Sequence, residues 1–143
     1  MSPAIRSLVP HAGDMCLLER IVSANETEII CGTFSHRSPA NPLRRDGILA
    51  ALHLAEYGAQ TMAVHGGLQA SGEANRGGML VAIRDLRLQV ARLDDLEAEL
   101  LVHAVKMMAN ADGRIYSFVA RAGERQLATG RVSVMPGSDS RRG

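Results

Sequence analysis

The stretch "HLAEYGAQTMAVHG", residues 53–66, decides the fold of this chain. Its apolar residues recur at intervals of three and four, the spacing that places them on one face of an α-helix. Glu56 lies among them, and no other residue between Asp46 and Glu73 carries a full charge at neutral pH. Because a lone carboxylate is costly to bury, such a helix has little reason to keep one for packing alone. The pattern therefore predicts a long core helix with one acid. Glu56 either has a chemical role or, as the alternative, reaches solvent at the helix edge or pairs with an arginine.

Two strand-like stretches precede this helix and four follow it. The helix is predicted from about Ile48 to Val64 or slightly beyond, with "HGG" (65–67) as its end, because glycine is typical of a helix C-cap. The loop ahead of it, 36–47, carries two prolines and a glycine. Apolar and polar residues alternate in the flanking stretches, and a break near Asp85 predicts a β-bulge. The predicted strands span 15–22, 27–35, 79–93, 97–109, 114–123 and 125–135.

The order of these elements predicts an α+β fold. An antiparallel sheet wrapped around the single central helix would bury the apolar residues of that helix. The chain has 143 residues, which suits one domain. We expect that domain over residues 1–135, opening with a helical turn at 3–9, and a flexible polar tail at 136–143. Two short stretches, "NADG" (110–113) and "AGER" (122–125), are typical of hairpin turns.

Composition excludes several classes of function. The net charge is +1 and aromatic residues make up 3%, which leaves little basis for binding nucleic acid. Cys16 and Cys31 lie in apolar runs, where buried free thiols are expected in a reducing compartment. The five histidines are scattered, so we expect no metal and no cofactor. No apolar run approaches the length of a membrane span, and we expect a cytoplasmic protein with no membrane contact.

Two motifs in this order resemble a known family. They are "LVPHAGDMCLLERIV" (8–22) and "NPLRRDGILAALHLAEYGAQTMAVHG" (41–66), which includes "ExxAQ" on the helix. The chain resembles the hotdog-fold 3-hydroxyacyl-acyl carrier protein dehydratases, most closely their ApeP-like branch of aryl polyene gene clusters. The resemblance extends through the later strands and covers essentially the whole chain. It implies a hotdog fold that pairs side by side with a second hotdog chain, with an acyl tunnel beside the helix.

The resemblance also implies a site. In these dehydratases an acid of the central helix works with a histidine from the preceding loop of the partner subunit, and Glu56 matches that acid. Gln60 matches the glutamine that follows, and residues four apart on a helix share a face. Dehydration of a 3-hydroxyacyl thioester needs one group to take the proton from C2 and one to protonate the hydroxide that leaves C3. An apolar environment raises the pKa of a carboxyl group towards neutrality, where it exchanges protons usefully.

The histidine of the resembling enzymes has no counterpart at its usual position. It lies fourteen residues before the acid, and counting back from Glu56 leads to Pro42. Three histidines remain as alternatives. His11 lies in the "PHAG" segment, which lines the tunnel in the resembling enzymes; His36 lies in the preceding loop; His53 lies one turn before Glu56. For each of them taken singly a structural role is favoured, and for a role in the site we expect His11 ahead of His36 and His53.

Other residues are assigned by position. We expect Gln60, Pro10 and Leu52 to contact the acyl group. Arg37, Arg44 and Arg45 form either a solvated cluster or a docking site for an acidic acyl carrier protein, where complementary charge raises the rate of association.

Three functions stay open at this point. The first is a 3-hydroxyacyl-thioester dehydratase of fatty acid or aryl polyene biosynthesis, acting on a substrate bound to acyl carrier protein. The second is a non-catalytic subunit that depends on a homologous chain for its histidine. The third is a hotdog thioesterase that uses Glu56 to activate water. A homodimer and a heterodimer with a homologous hotdog chain are both compatible with the sequence.

Overall fold

The structure is a computed structural model, which describes residues 16–69 and 79–136. Its elements are β1 (Arg20–Ala24), β2 (Glu28–Thr33), α1 (Leu54–Gln69), β3 (Met79–Leu88), β4 (Leu100–Asn110), β5 (Gly113–Ala122) and β6 (Arg125–Pro136). In the described part, the long helix α1 packs against a sheet of six antiparallel strands in the order β1-β2-β4-β5-β6-β3. The predicted architecture, a sheet wrapped around one central helix, is confirmed.

The core lies between α1 and the concave face of the sheet. From the helix, Leu54 and Tyr57 are fully buried, and from the sheet Val102 and Tyr116 are fully buried against the same core. Period-two alternation along β4 and β5 turns every second side chain inwards, which is why these strands show alternating burial. Burying the apolar face of the helix against this sheet is the main stabilising term of the fold.

The helix begins later than predicted, at Leu54 instead of Ile48. The reason is tertiary, because the backbone just before it pairs with the loop after β3. Ala51 N–H donates to the carbonyl of Ala91 over 2.9 Å, and Leu93 N–H donates to that of Leu49 over 2.8 Å. These bonds hold Ala50 in an extended conformation, and a 3₁₀ turn (Ala51–His53) then leads into α1.

The predicted helix end at "HGG" is also wrong, since α1 continues through Gly66 to Gln69. The last residue is tied down by its side chain. Gln69 Nε2 donates to the carbonyl of Glu26 over 2.6 Å, and Lys106 Nζ donates to Gln69 Oε1 over 2.8 Å. These bonds offset the low helix propensity of glycine in the preceding turn.

The strands match their predicted positions with shifted ends. The first strand begins at Arg20, later than predicted, and ahead of it Leu17 N–H donates to Gln60 of the helix instead of pairing with a strand. A bulge does interrupt β3 at Asp85, which has a positive φ of 55°, and the register with β6 shifts between Arg84 and Arg87. Both predicted hairpin turns are present, and their glycines take positive φ values.

Some expectations lie outside the described residues. These are the helical turn at 3–9, the segment with Pro10 and His11, and the tail beyond Pro136. Cys31 is buried and Cys16 partly buried, and both are free thiols. Burial raises the pKa of Cys31 to about 12, so its thiol stays protonated. Within the described ranges, no helix is long and apolar enough to cross a membrane.

Candidate active site

Glu56 lies in the first turn of α1 and is partly exposed instead of enclosed in the core. The neighbouring Gln60 is buried and fixes its orientation. Gln60 Nε2 donates to Glu56 Oε2 over 3.0 Å, and Gln60 Oε1 accepts a hydrogen bond from Leu17 N–H over 2.9 Å. Because a backbone N–H can only donate, the amide oxygen must face Leu17 and the amide nitrogen must face Glu56. The predicted pair on one helical face is therefore a directed hydrogen bond.

Leu17 connects this pair to the chain that precedes β1. Its N–H is held by Gln60, and its carbonyl accepts hydrogen bonds from Thr33 Oγ1 and Ser35 Oγ, each over 2.7 Å. With both backbone polar groups bonded, residues 16–19 are fixed against the helix beside Glu56.

A second buried network lies next to Glu56 and centres on Tyr57. The single hydroxyl proton of Ser35 goes to the carbonyl of Leu17, so Tyr57 donates its own proton to Ser35 Oγ over 2.9 Å. Asn41 Nδ2 donates to the Tyr57 oxygen over 3.2 Å and to the carbonyl of Ser35 over 2.9 Å. Burial raises the pKa of Tyr57, which keeps the phenol neutral. Sequence reasoning missed these residues; the signal was a tyrosine beside the acid and an asparagine before Pro42.

His36 is fully buried in the 3₁₀ turn Ser35–Arg37 that follows β2. Its Nε2 lies 3.1 Å from the carbonyl of Leu96, which can only accept, so Nε2 carries the proton. Nδ1 is buried and has no hydrogen-bond partner within the described part of the chain. Burial lowers the pKa of His36, which favours the neutral imidazole. The hydrogen bond to Leu96 joins this turn to the segment before β4. Such a bond is typical of a histidine with a structural role.

The remaining candidates are spread over the surface near α1. His53 is partly exposed and ends the 3₁₀ turn ahead of the helix, and Leu52 beside it has 59% of its surface exposed. Arg44 donates to the carbonyl of Gly47 over 2.8 Å and to that of His36 over 3.3 Å, so this side chain organises its own loop. Arg37 and Arg45 are exposed.

His65 forms a separate polar site near the other end of α1. It is fully buried, and its Nε2 donates to the carbonyl of Asn25 over 2.8 Å, so Nδ1 accepts from the Tyr116 hydroxyl. Burial, with the positive charges of Lys106 and Arg114, lowers the pKa of His65. The sequence offered no context for this residue.

Several apolar side chains of α1 and of the segment around β3 are only partly covered. Ala59, Ile83, Leu86 and Val90 pack against the core yet stay partly exposed, and we call these four residues the apolar strip. The strand β3 that carries two of them is an edge of the sheet.

Solved structures with the same fold span nearly the whole chain. The dehydratase heterocomplex ApeI:P from Xenorhabdus doucetiae matches with a TM-score of 0.82 at 20% identity, covering 98% of this chain and 94% of the matched chain. The TT0310 protein from Thermus thermophilus matches with a TM-score of 0.58 at 13% identity, over 96% and 99% of the two chains. Thioesterase superfamily member 2 from Mus musculus matches with a TM-score of 0.56 at 13% identity, over 82% and 80%.

At these identities the structural likeness establishes the hotdog fold. Among curated proteins, no significant match to the sequence is found. The sequence does match a family model, described as ApeP dehydratase, over residues 3–142. That match includes both motifs, the described hotdog domain and the helix that carries Glu56, and it shows that the chain belongs to the ApeP-like dehydratase family.

Proposed function

We propose that this chain provides the acid of a hotdog dehydratase that eliminates water from a 3-hydroxyacyl thioester in aryl polyene biosynthesis, with the substrate carried by an acyl carrier protein. The observation that carries the proposal is the Gln60 amide, which binds Glu56 on one side and the backbone of Leu17 on the other. This arrangement holds one carboxylate in a fixed position beside a partly exposed apolar surface. A fixed proton-transfer group next to an apolar acyl site is what the elimination needs.

The elimination divides into two proton transfers. One group takes the proton from C2 while the C3–O bond breaks, and another protonates the departing hydroxide so that water leaves. Glu56 handles one of these protons. The amide of Gln60 cannot exchange protons, so its part is to keep the carboxylate aimed at the substrate.

A histidine is the natural second group, and His11 is the first candidate. Its segment leads directly to Leu17, the residue that Gln60 binds. His36 is less suited, because its Nε2 is already bonded to Leu96 and its ring is fully buried. His53 is partly exposed and lies one turn before Glu56, so it remains the alternative.

The second hotdog chain packs along β3. This strand has one free edge, and Val81 and Leu88 on it have 51% and 41% of their surface exposed. A free edge with exposed apolar residues is normally paired or covered. The heterocomplex of the similar ApeI:P structure supports a homologous hotdog chain as the partner. Such a partner could also supply the histidine that this chain lacks at the usual position.

The carrier protein docks near the loop that holds Arg37 and Arg45, because both are exposed and lie ahead of the helix that carries Glu56. Arg44 contributes to the shape of this loop through its bonds to Gly47 and His36. The positive charge of these arginines would then mainly raise the rate at which an acidic carrier protein associates with the chain.

The test is an assay of the purified protein with a 3-hydroxyacyl thioester of acyl carrier protein, alone and mixed with a homologous hotdog dehydratase chain. We expect 2-enoyl product, followed by its ultraviolet absorbance and by mass spectrometry of the carrier. Product only in the mixture assigns this chain as the partner subunit. Release of free acid with no loss of water identifies a thioesterase instead and contradicts the proposal.

A further inference from the structure

Phe118 lies inside the fold with the edge of its ring against two glycines. A β-carbon placed on Gly58 of α1 would lie 2.9 Å from the ring, and one placed on Gly130 of β6 would also lie 2.9 Å from it. Both distances are shorter than carbon atoms normally approach. The ring therefore occupies the space that a side chain at either position would fill, and only glycine allows it to lie this close to helix and sheet together.

The same ring lies near two residues of the apolar strip, Leu86 and Ala59. The β-carbon placed on Gly130 would also lie 3.4 Å from Leu86 Cδ1, so Leu86 and Phe118 cover one glycine together. Leu86 is partly exposed, whereas Phe118 is 1% exposed. Ala59 of the strip follows Gly58 directly in α1. Phe118 is thus buried beside Gly58 and Gly130, close to the places where Ala59 and Leu86 of the strip are partly exposed.

The strip also lies next to the proposed acid. Ala59 is three residues after Glu56, so the two side chains are neighbours on the helix surface. An acyl chain whose C3 carbon sits at Glu56 meets the apolar strip as it extends along the helix. Further extension inwards is limited by whatever lies beneath the strip.

We propose that Phe118 sets the length of acyl chain that the site accepts, acting as the floor on which the end of the chain rests. This inference rests on the proposed function, since it assigns the strip to the acyl group of the same thioester. Gly58 and Gly130 are then positioning residues, because they allow the ring to lie where it does. Removing the ring should open space below the strip, and a larger residue at Gly130 should push the ring into it.

The activity experiment compares 3-hydroxybutyryl, 3-hydroxyoctanoyl and 3-hydroxydodecanoyl thioesters of the carrier protein, with the partner chain present. In Phe118→Ala and Phe118→Leu, the kcat/KM ratio of the longest to the shortest substrate should rise by about tenfold or more, since one methylene in an apolar pocket changes kcat/KM by about 10–200-fold. Gly130→Ala should lower that ratio. The matched control is Ile29→Ala, which opens a cavity in β2, and it should leave the ratio unchanged. Equal ratios in the parent and the Phe118 variants overturn the proposal.

A binding experiment separates this inference from the proposed function. Octanoate and dodecanoate are made to displace a fluorescent fatty acid from the same variants, and their dissociation constants are compared. Phe118→Ala should shift the preference towards dodecanoate by about tenfold, which corresponds to about 1.4 kcal/mol. If the shift occurs while no variant dehydrates any thioester, the floor assignment stands and the dehydratase proposal fails. If the preference is unchanged, or no variant binds either fatty acid, the floor assignment fails. Phe118→Leu retains most of the buried apolar volume and replaces Phe118→Ala should the latter not fold.

Discussion

The side-chain position of Glu56 is fixed by a hydrogen bond from its neighbour Gln60. Its position one helical turn from Gln60 is a property of the sequence, but the direction of the hydrogen bond is set by Leu17, which occupies the amide oxygen. Were the amide free to rotate, it could offer Glu56 either end. The backbone of a distant segment thus decides how the acid is held.

The first prediction concerns this acid. Glu56→Gln should abolish dehydration, because an amide cannot transfer a proton, and should leave the thermal midpoint of unfolding unchanged or higher. The new amide oxygen can still accept from Gln60, and the variant removes a charge from a partly apolar surface. Turnover and differential scanning calorimetry measure the two effects.

Glu124→Gln is the matched control, since Glu124 is exposed in the turn between β5 and β6. It should keep the parent rate and midpoint. A Glu56→Gln protein that loses several degrees of thermal midpoint would show that the carboxylate is mainly structural.

The second prediction concerns the proton partner. His11→Asn should lower kcat by roughly two to four orders of magnitude, the range expected for the loss of a general acid or base. His53→Asn should have a much smaller effect on the rate. His36→Asn should mainly lower the free energy of unfolding, because it loses the buried contact with Leu96. Steady-state kinetics and urea unfolding of the three variants measure these effects. Parent rates in all three would exclude histidine chemistry from this chain.

The third prediction concerns pH. The pKa values of His36 and His65 are lowered in the folded state, mainly by burial, whereas in the unfolded chain a histidine titrates near 6.5. Below about pH 6.5 the unfolded state therefore binds more protons, so the free energy of unfolding should fall as the pH is lowered from about 7 to about 5. At higher pH both states are neutral at these positions and the contribution is complete.

Urea unfolding at several pH values measures this dependence. The salt-bridged carboxylates Asp94 and Glu99 have lowered pKa values, so they titrate below this range and do not obscure it. His65→Gln should reduce the slope of stability against pH. A parent protein of constant stability between pH 7 and 5 would contradict the assignment of neutral buried histidines.

At the scale of elements, the network around Tyr57 joins three pieces of chain that are far apart in sequence. Residues 16–19, the turn after β2 and the loop before the helix all meet at the Tyr57, Ser35 and Asn41 side chains. The bond between Asn41 and Tyr57 is buried and the two bonds of Ser35 are partly buried, and in such an environment the loss of a hydrogen-bond partner lowers stability. The network therefore fixes the segments that flank Glu56 to the helix.

The fourth prediction tests that network. Tyr57→Phe removes one hydroxyl and leaves Ser35 and Asn41 short of a partner, so it should lower the free energy of unfolding by about 1–3 kcal/mol. Ser133→Ala, which removes a partly exposed hydroxyl from β6, is the control and should change it by less than about 0.5 kcal/mol. Chemical denaturation of both variants provides the comparison, and equal stabilities would show that the Tyr57 hydroxyl does not contribute.

At the scale of the whole molecule, the sheet has two edges of different character. β1 is short, with five residues, whereas β3 has ten, and it is β3 that borders the apolar strip. A long edge with exposed apolar side chains favours pairing with another chain. In the function proposed above, a second hotdog chain pairs along this edge.

The fifth prediction is that the protein is a dimer in solution, paired along β3. Val81→Arg should shift it towards monomer, because a charge would be buried in the interface. Val22→Arg places the same charge on the other edge strand, at a residue with 42% exposure, and should leave the dimer intact. Multi-angle light scattering at micromolar concentration measures both. A monomeric parent, or equal effects of the two variants, would contradict pairing through β3.

Much of this architecture could be predicted from local patterns in the sequence. Alternation and turn residues located every strand, because side-chain period and glycine content are properties of short segments. The ends of α1 were misplaced because they depend on distant partners, Ala91 and Leu93 at one end and Glu26 and Lys106 at the other.

The sequence by itself determined the helix with one acid, its glutamine four residues on, the six strands and the family. Each of these depends on the order of nearby residues. Only the tertiary structure decided that Gln60 directs its amide through Leu17, that His36 is bonded to Leu96, and that Phe118 lies between Gly58 and Gly130. These contacts join residues more than forty positions apart in most cases, and no local pattern records which of them meet, because close packing of the whole domain selects the partners.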